Sequence, residues 1–292
     1  MQKDILFFSY SWVDNANLIF KKFESLGYKC DFVYENTIQN FKPIHDYKVV
    51  FLYLHEANTI PITNNLLDTF YKYSYLVQHD DTDFEDVQIW SNRQPDLIMQ
   101  RELTNNTKNP WGSPVFPFHF PIPSKYEESL QEKKYDVTFM ASLTNPRRIP
   151  FIKHVEKLAN TSLKHLNWNL QITPINVKTP NYKEIINQSK IGLHYFGNSY
   201  DSIRIWELAS AKCGIIMPRL KLKSTSSEWM PFNEYLPIDD DFKDLEQKII
   251  YMLEKDRYKK FADDAFEAYN LKHNPDKCFD KYYETFKRYI EI

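Results

Sequence analysis

The chain has 292 residues, 42% hydrophobic and 26% charged, with a formal net charge of −2. That composition supports a buried core and length for two domains of about 150 residues each. It excludes a surface that is basic overall, though not a local basic groove. Only five glycines occur, and they form neither a G-x-G-x-x-G fingerprint nor a P-loop, so dinucleotide or ATP binding of those kinds is not expected.

The first strand signal is Ile5–Ser9, an apolar run with no small-residue cleavage site after it, so a secretion signal is not expected. Leu18, Ile19, Phe23 and Leu26 then recur at helical spacing over Asn15–Leu26, and Gly27 stands where a left-handed residue ends a helix. Cys30–Tyr34 and Lys48–Leu54 read as buried parallel strands. The second contains the longest apolar run, Val49–Leu54, far too short to cross a bilayer. Asn64–Tyr73 reads as a helix, and Ser74–Gln78 and Asp96–Gln100 as strands. Cys30, Cys213 and Cys278 are widely spaced, with no C-x-x-C or Cys/His zinc pattern. They are expected as free buried thiols in a reducing, cytoplasmic setting.

The alternation stops between Asn105 and Pro123, where Pro110, Pro114, Pro117, Pro121 and Pro123 disfavour regular helix. A charged, helix-prone piece, Lys125–Lys134, follows. A second alternating series runs through strand Val137–Ala141, helix Arg148–Ala159, strand Trp168–Ile172, short helix Tyr182–Gln188 and strand Ile191–Phe196. It continues with helix Ile203–Ala211 and strand Gly214–Met217. Helices Phe242–Glu254, Asp256–Tyr269 and Cys278–Ile290 complete the chain. Two such series predict an α/β protein of two Rossmann-like, doubly wound domains facing each other across a cleft. The expected division is 1–130, 131–275 and a terminal helix at 276–292.

Ligands of doubly wound sheets sit beyond the carboxyl ends of the strands. The loop Gly197–Ser202, with Asn198, Ser199 and Ser202, lies between a strand and a helix and is small and polar enough to cradle phosphate. Arg204 and Glu207 follow on one helical face, three residues apart. They suit either an anionic ligand with a sugar hydroxyl or an ordinary surface ion pair. Arg147 and Arg148 at the head of another helix oppose the helix dipole, as a diphosphate site or as solvated arginines. His79, Asp80, Asp81 and Asp83 form the most polar cluster of the first half. Three roles fit it: a general base, a metal clamp through Asp81 and Asp83, or a solvated capping loop. His194, within an apolar strand, reads as a satisfied core histidine.

Several segments resemble a known family. They are Tyr135–Phe139, Tyr182–Leu193, Ser202–Gly214 and Asn233–Leu236, which occur in order across roughly residues 135–290. They resemble the donor-binding domain of GT-B glycosyltransferases, in particular the group-1-like family that includes CgeB. The resemblance implies a hexosyl- or pentosyltransferase using a UDP- or GDP-linked sugar as co-substrate, with no cofactor and no metal, the acceptor on the side of 1–130, the donor on 131–275, and 276–292 a helix packing back on the N-terminal domain. Glu207 would then bind the ribose hydroxyls, Arg204 the diphosphate, and Ser142, Arg147 or Arg148 the same donor. The acceptor stays open among glycan, metabolite, protein and modified DNA base, and net acidity does not favour nucleic acid. A non-catalytic module retaining the fold is the alternative. One departure is Ala141 beside Met140 and Ser142, where the family often carries glycine.

Overall fold

The computed structural model describes residues 3–9, 14–34, 46–54, 64, 67–68, 75–80, 86–89, 91–100, 103–117, 131–143, 146–174, 180–196, 203–222 and 234–290. Contacts divide the chain into two units, one formed by Met1–Pro121, Leu222–Trp229 and Cys278–Ile292, the other by Ile122–Lys221 and Met230–Lys277.

The first unit holds strands β1 (Lys3–Ser9), β2 (Cys30–Tyr34), β3 (Tyr47–Leu54), β4 (Tyr75–Asp80), β5 (Leu97–Gln100) and β6 (Val115–Pro117). They pair in parallel in the order β2-β1-β3-β4-β5-β6. Alternation along β1 and β3 sends Ile5, Phe7, Val49, Phe51 and Tyr53 to one face and Leu6, Phe8, Val50 and Leu52 to the other. Helix α1 (Asp14–Ser25) covers the first face with Ala16, Ile19 and Phe23, and Gly27 turns the chain at φ +91°. The Cys278–Tyr289 part of the C-terminal helix (Pro275–Tyr289) packs on that same face through Phe279, Tyr282 and Phe286. Phe23 meets Phe279 and Phe286 edge-on at 5.6 and 5.1 Å, the geometry that ring quadrupoles favour. Much of this core is therefore built from Phe and Tyr.

The second unit holds β7 (Tyr135–Ser142), α2 (Arg148–Asn160), β8 (Trp168–Thr173), α3 (Tyr182–Asn187), β9 (Ser189–Leu193), α4 (Ile203–Ser210), β10 (Gly214–Pro218), β11 (Leu236–Ile238), α5 (Leu245–Leu253) and α6 (Tyr258–Ala268). The helix beginning at Pro275 is thus α7. The five parallel strands run β11-β10-β9-β7-β8. In chain order that is 5-4-3-1-2, so the winding reverses between β7 and β9 and opens a crevice at their carboxyl ends.

Four features differ from the sequence reading. β6 and β11 are unforeseen strands, each containing a proline (Pro117, Pro237), and both lie at sheet edges, where a missing N–H is tolerated. β4 extends through His79 and Asp80, and β9 stops at Leu193, so His194 lies just past the strand. The expected helices over Asn64–Tyr73 and Lys125–Lys134 fall mostly outside the described residues. The three cysteines are free and buried, as expected.

Two local features seat α4 against the sheet. A Cβ built on Gly192 would run into the Leu208 side chain, so the absent side chain sets how closely α4 approaches β9. At the far end, the Cys213 N–H donates to the Leu208 carbonyl at 3.0 Å and the Lys212 N–H to that of Ala209 at 3.1 Å. Lys212 there has φ +52°, giving a Schellman termination without glycine. Gly192→Ala should destabilise the fold by about 1–3 kcal/mol through overpacking, measured by urea unfolding. An unchanged midpoint would show that Leu208 yields freely.

Candidate functional site at the β7–β9 crossover

Arg148, the first residue of α2, joins the segments leaving β7 and β9. Its Nε donates to the Phe196 carbonyl at 3.1 Å and its Nη1 to the Ser142 carbonyl at 3.0 Å, with Ser142 Oγ at 3.4 Å. These three acceptors are neutral oxygens. Burial, and then the nearby charge of Arg204, both lower the basicity of Arg148. An arginine starts so high that it remains a cation.

Arg204 lies in the first turn of α4 and donates from Nη1 to the Met140 carbonyl of β7. Its Nε is 3.6 Å from Glu207 Oε2. Its guanidinium carbon stands 4.6 Å from the centre of the Tyr182 ring, a cation–π contact. The Tyr182 hydroxyl donates to the same Glu207 oxygen at 2.5 Å. Tyr182, Arg204 and Glu207 therefore fix one another. Tyr182 was not singled out as a site residue, although it opens one of the segments that carry the family resemblance.

His194 lies just past the end of β9. Its backbone N–H donates to the Ile216 carbonyl at 3.0 Å, and its side chain is 3% exposed. Its Nε2 is buried without a hydrogen-bond partner among the described residues. Burial, followed by the positive charges of Arg204 and Arg148, holds its pKa well below the ordinary imidazole value. Nothing in its apolar sequence context distinguished it from a core histidine.

The structure thus gathers Ser142, Arg148, Arg204 and Glu207 at one crossover. Arg147 is exposed and occupies the cap position of α2, where its side chain makes no capping bond. Asn198, Ser199 and Ser202 lie outside the described residues, as do Asp81 and Asp83. His79 is not in a loop as expected. It pairs with Tyr53 and Met99 inside the first sheet, is fully buried, and contacts Tyr53 and Tyr282 edge-on at 4.1 and 5.6 Å between ring centres. The register puts it on the aromatic face beneath α7, so an acceptor hydroxyl has no approach to its ring in this packing. Asp80 is the last residue of β4.

No protein-family model and no curated protein matches the chain. Solved structures do. Anabaena HepE in complex with UDP matches over 98% of this chain and 100% of its own, with TM-score 0.56 and 10% identity. The chain has the GT-B fold. A glycosyltransferase from Rickettsia africae ESF-5 matches over 99% of both chains, with TM-score 0.55 and 11% identity. TarM matches over 81% of this chain but only 54% of its own length, with TM-score 0.51 and 11% identity. No helix among the described residues is long and apolar enough to cross a membrane.

Two outcomes follow from this geometry. Tyr182→Phe removes a hydrogen bond to a carboxylate and should cost about 1.5–3 kcal/mol in urea unfolding; a loss under half a kcal/mol would mean Glu207 is held by Arg204 alone. His194 should bind fewer protons folded than unfolded, so stability is full above the ordinary histidine pKa of 6.5 and falls as pH drops below it. In His194→Gln the slope of stability against pH just below 6.5 should be shallower than in the unaltered protein, and identical slopes would refute a neutral His194.

Proposed function

We propose that the protein transfers a sugar from a nucleotide-activated donor to an acceptor hydroxyl. The observation that carries this reading is the convergence of Arg148 and Arg204 on the β7–β9 crossover, with Glu207 held alongside by Tyr182. Two cations bonded to backbone carbonyls, Arg204 paired also with Glu207, suit a diphosphate, and a fixed carboxylate suits the paired hydroxyls of a ribose. The GT-B fold agrees with this assignment. So does the presence of UDP in one protein of similar architecture. The group-1-like, CgeB-like subfamily, and UDP rather than GDP as carrier, belong to the same proposal.

The chemistry asked of these residues is electrostatic. As the bond from the anomeric carbon to the diphosphate breaks, negative charge grows on the departing oxygen, and Arg148 and Arg204 are already in place to receive it. Orientation of the donor supplies the remainder of the assistance on this side. The acceptor and its base are left unassigned. Asp80, Asp81 and Asp83 remain candidates for the base, while the enclosure of His79 argues against that residue.

That enclosure favours one second reading, a module that binds a nucleotide or glycan without turnover. Both readings are separable with UDP- and GDP-sugars. Saturating the matching nucleotide at a hundred times its Kd should raise stability by about 2.7 kcal/mol. Slow release of free sugar identifies the transferase, and stabilisation without any hydrolysis identifies the module. No stabilisation by any nucleotide would overturn both.

A further inference from the structure

Arg204 and Glu207 stand three residues apart in the first two turns of α4, the spacing at which a cation and a carboxylate meet on a helix face. Their side chains are 27% and 15% exposed. The attraction between them is therefore stronger than at an open surface, while Arg204 stays reachable from solvent. The two groups nevertheless stop short of each other. Nε of Arg204 is 3.6 Å from Glu207 Oε2, against about 2.7–2.9 Å for a charged N–H donor bonded to a carboxylate. The ion pair is adjacent and open.

Tyr182 accounts for the gap. Its hydroxyl donates at 2.5 Å to the same Oε2 that faces Arg204. Its ring lies against the guanidinium, 4.6 Å from the central carbon. The Met140 carbonyl of β7 accepts from Nη1 of that guanidinium, a further bond that competes with closure of the pair. The tyrosine is itself fixed in place. It is the first residue of α3, follows Asn181 at φ +53°, and packs against the core cluster that contains Ile185, Ile186 and Trp206. A phenylalanine there would keep the ring and lose the bond to Oε2.

We propose that Tyr182 is a positioning residue that keeps Arg204 and Glu207 from closing on each other, leaving the guanidinium able to take an oxyanion at the β7–β9 crossover. In a closed pair the carboxylate would neutralise Arg204, and an incoming anion would first have to displace it. With the hydroxyl on Oε2 that displacement is built into the fold before any ligand arrives, which is preorganisation. The same bond orients the carboxylate assigned above to the ribose, and only in that respect does the proposal rest on the donor reading.

Inorganic pyrophosphate is the probe, titrated by calorimetry into the unaltered protein, Tyr182→Phe, Glu207→Gln and the double variant. Tyr182→Phe should bind pyrophosphate more weakly by about fivefold or more, because its Arg204 must first leave a closed pair. Glu207→Gln should bind it more tightly than the unaltered protein does, since a competing negative charge is gone. In that background Tyr182→Phe should have no further effect, because no carboxylate is left for Arg204 to close on. Equal affinity in Tyr182→Phe and the unaltered protein would overturn the inference. So would an equal loss in both backgrounds, the mark of a merely structural tyrosine. Failure of Tyr182→Phe to fold would also count against it, since a closing pair satisfies the carboxylate, and so would an unaltered protein that binds no pyrophosphate. UDP separates this from the donor reading. The expected pyrophosphate pattern, with UDP bound no more tightly than pyrophosphate, leaves the role of Tyr182 standing and removes the nucleotide. Tight UDP binding without the coupling between Tyr182 and Glu207 does the reverse.

Discussion

The second unit depends on one guanidinium bonded to two chain segments. Arg148 holds the carbonyls of Ser142 and Phe196 together, and those belong to the exits of the two strands between which the sheet reverses its winding. A neutral side chain could make similar hydrogen bonds at lower electrostatic cost. Burial and then the charge of Arg204 both work against the cation at Arg148.

Everything around the crossover serves to fix α4. Gly192 lets the helix lie close on β9, the left-handed Lys212 ends it, and Lys133 donates to the Ala211 carbonyl at 2.8 Å. A cation at the carboxyl end complements the helix dipole there, and the amino end, which carries Arg204, presents the opposite polarity to the crossover. At Gly192 the glycine stands where a helix must approach a strand.

The double alternation of strand and helix was legible because buried parallel strands such as Val49–Leu54 and amphipathic helices such as Arg148–Asn160 carry strong periodicity. β6 and β11 were hidden by Pro117 and Pro237, which read as breakers until their edge positions are known. Arg204 and Glu207 could be found from their spacing, and the family likeness lent them meaning. The carbonyls of Met140, Ser142 and Phe196 could not, since a backbone oxygen leaves no trace in residue identity. His194 is buried, as its hydrophobic neighbours in sequence suggested, though its Nε2 lacks a hydrogen bond among the described residues. His79 differs from its sequence reading, because its acidic successors suggested a loop while strand register carried it into the aromatic face.

Calorimetry with uridine and with UDP tests the central claim most directly, because the two ligands differ only in the diphosphate. In the unaltered protein UDP should bind far more tightly than uridine, and in Arg148→Gln that gap should shrink at least about tenfold while uridine affinity is preserved, as expected for loss of a charged hydrogen bond. An unchanged gap between the two ligands would contradict the assignment of the β7–β9 crossover as the seat of the diphosphate.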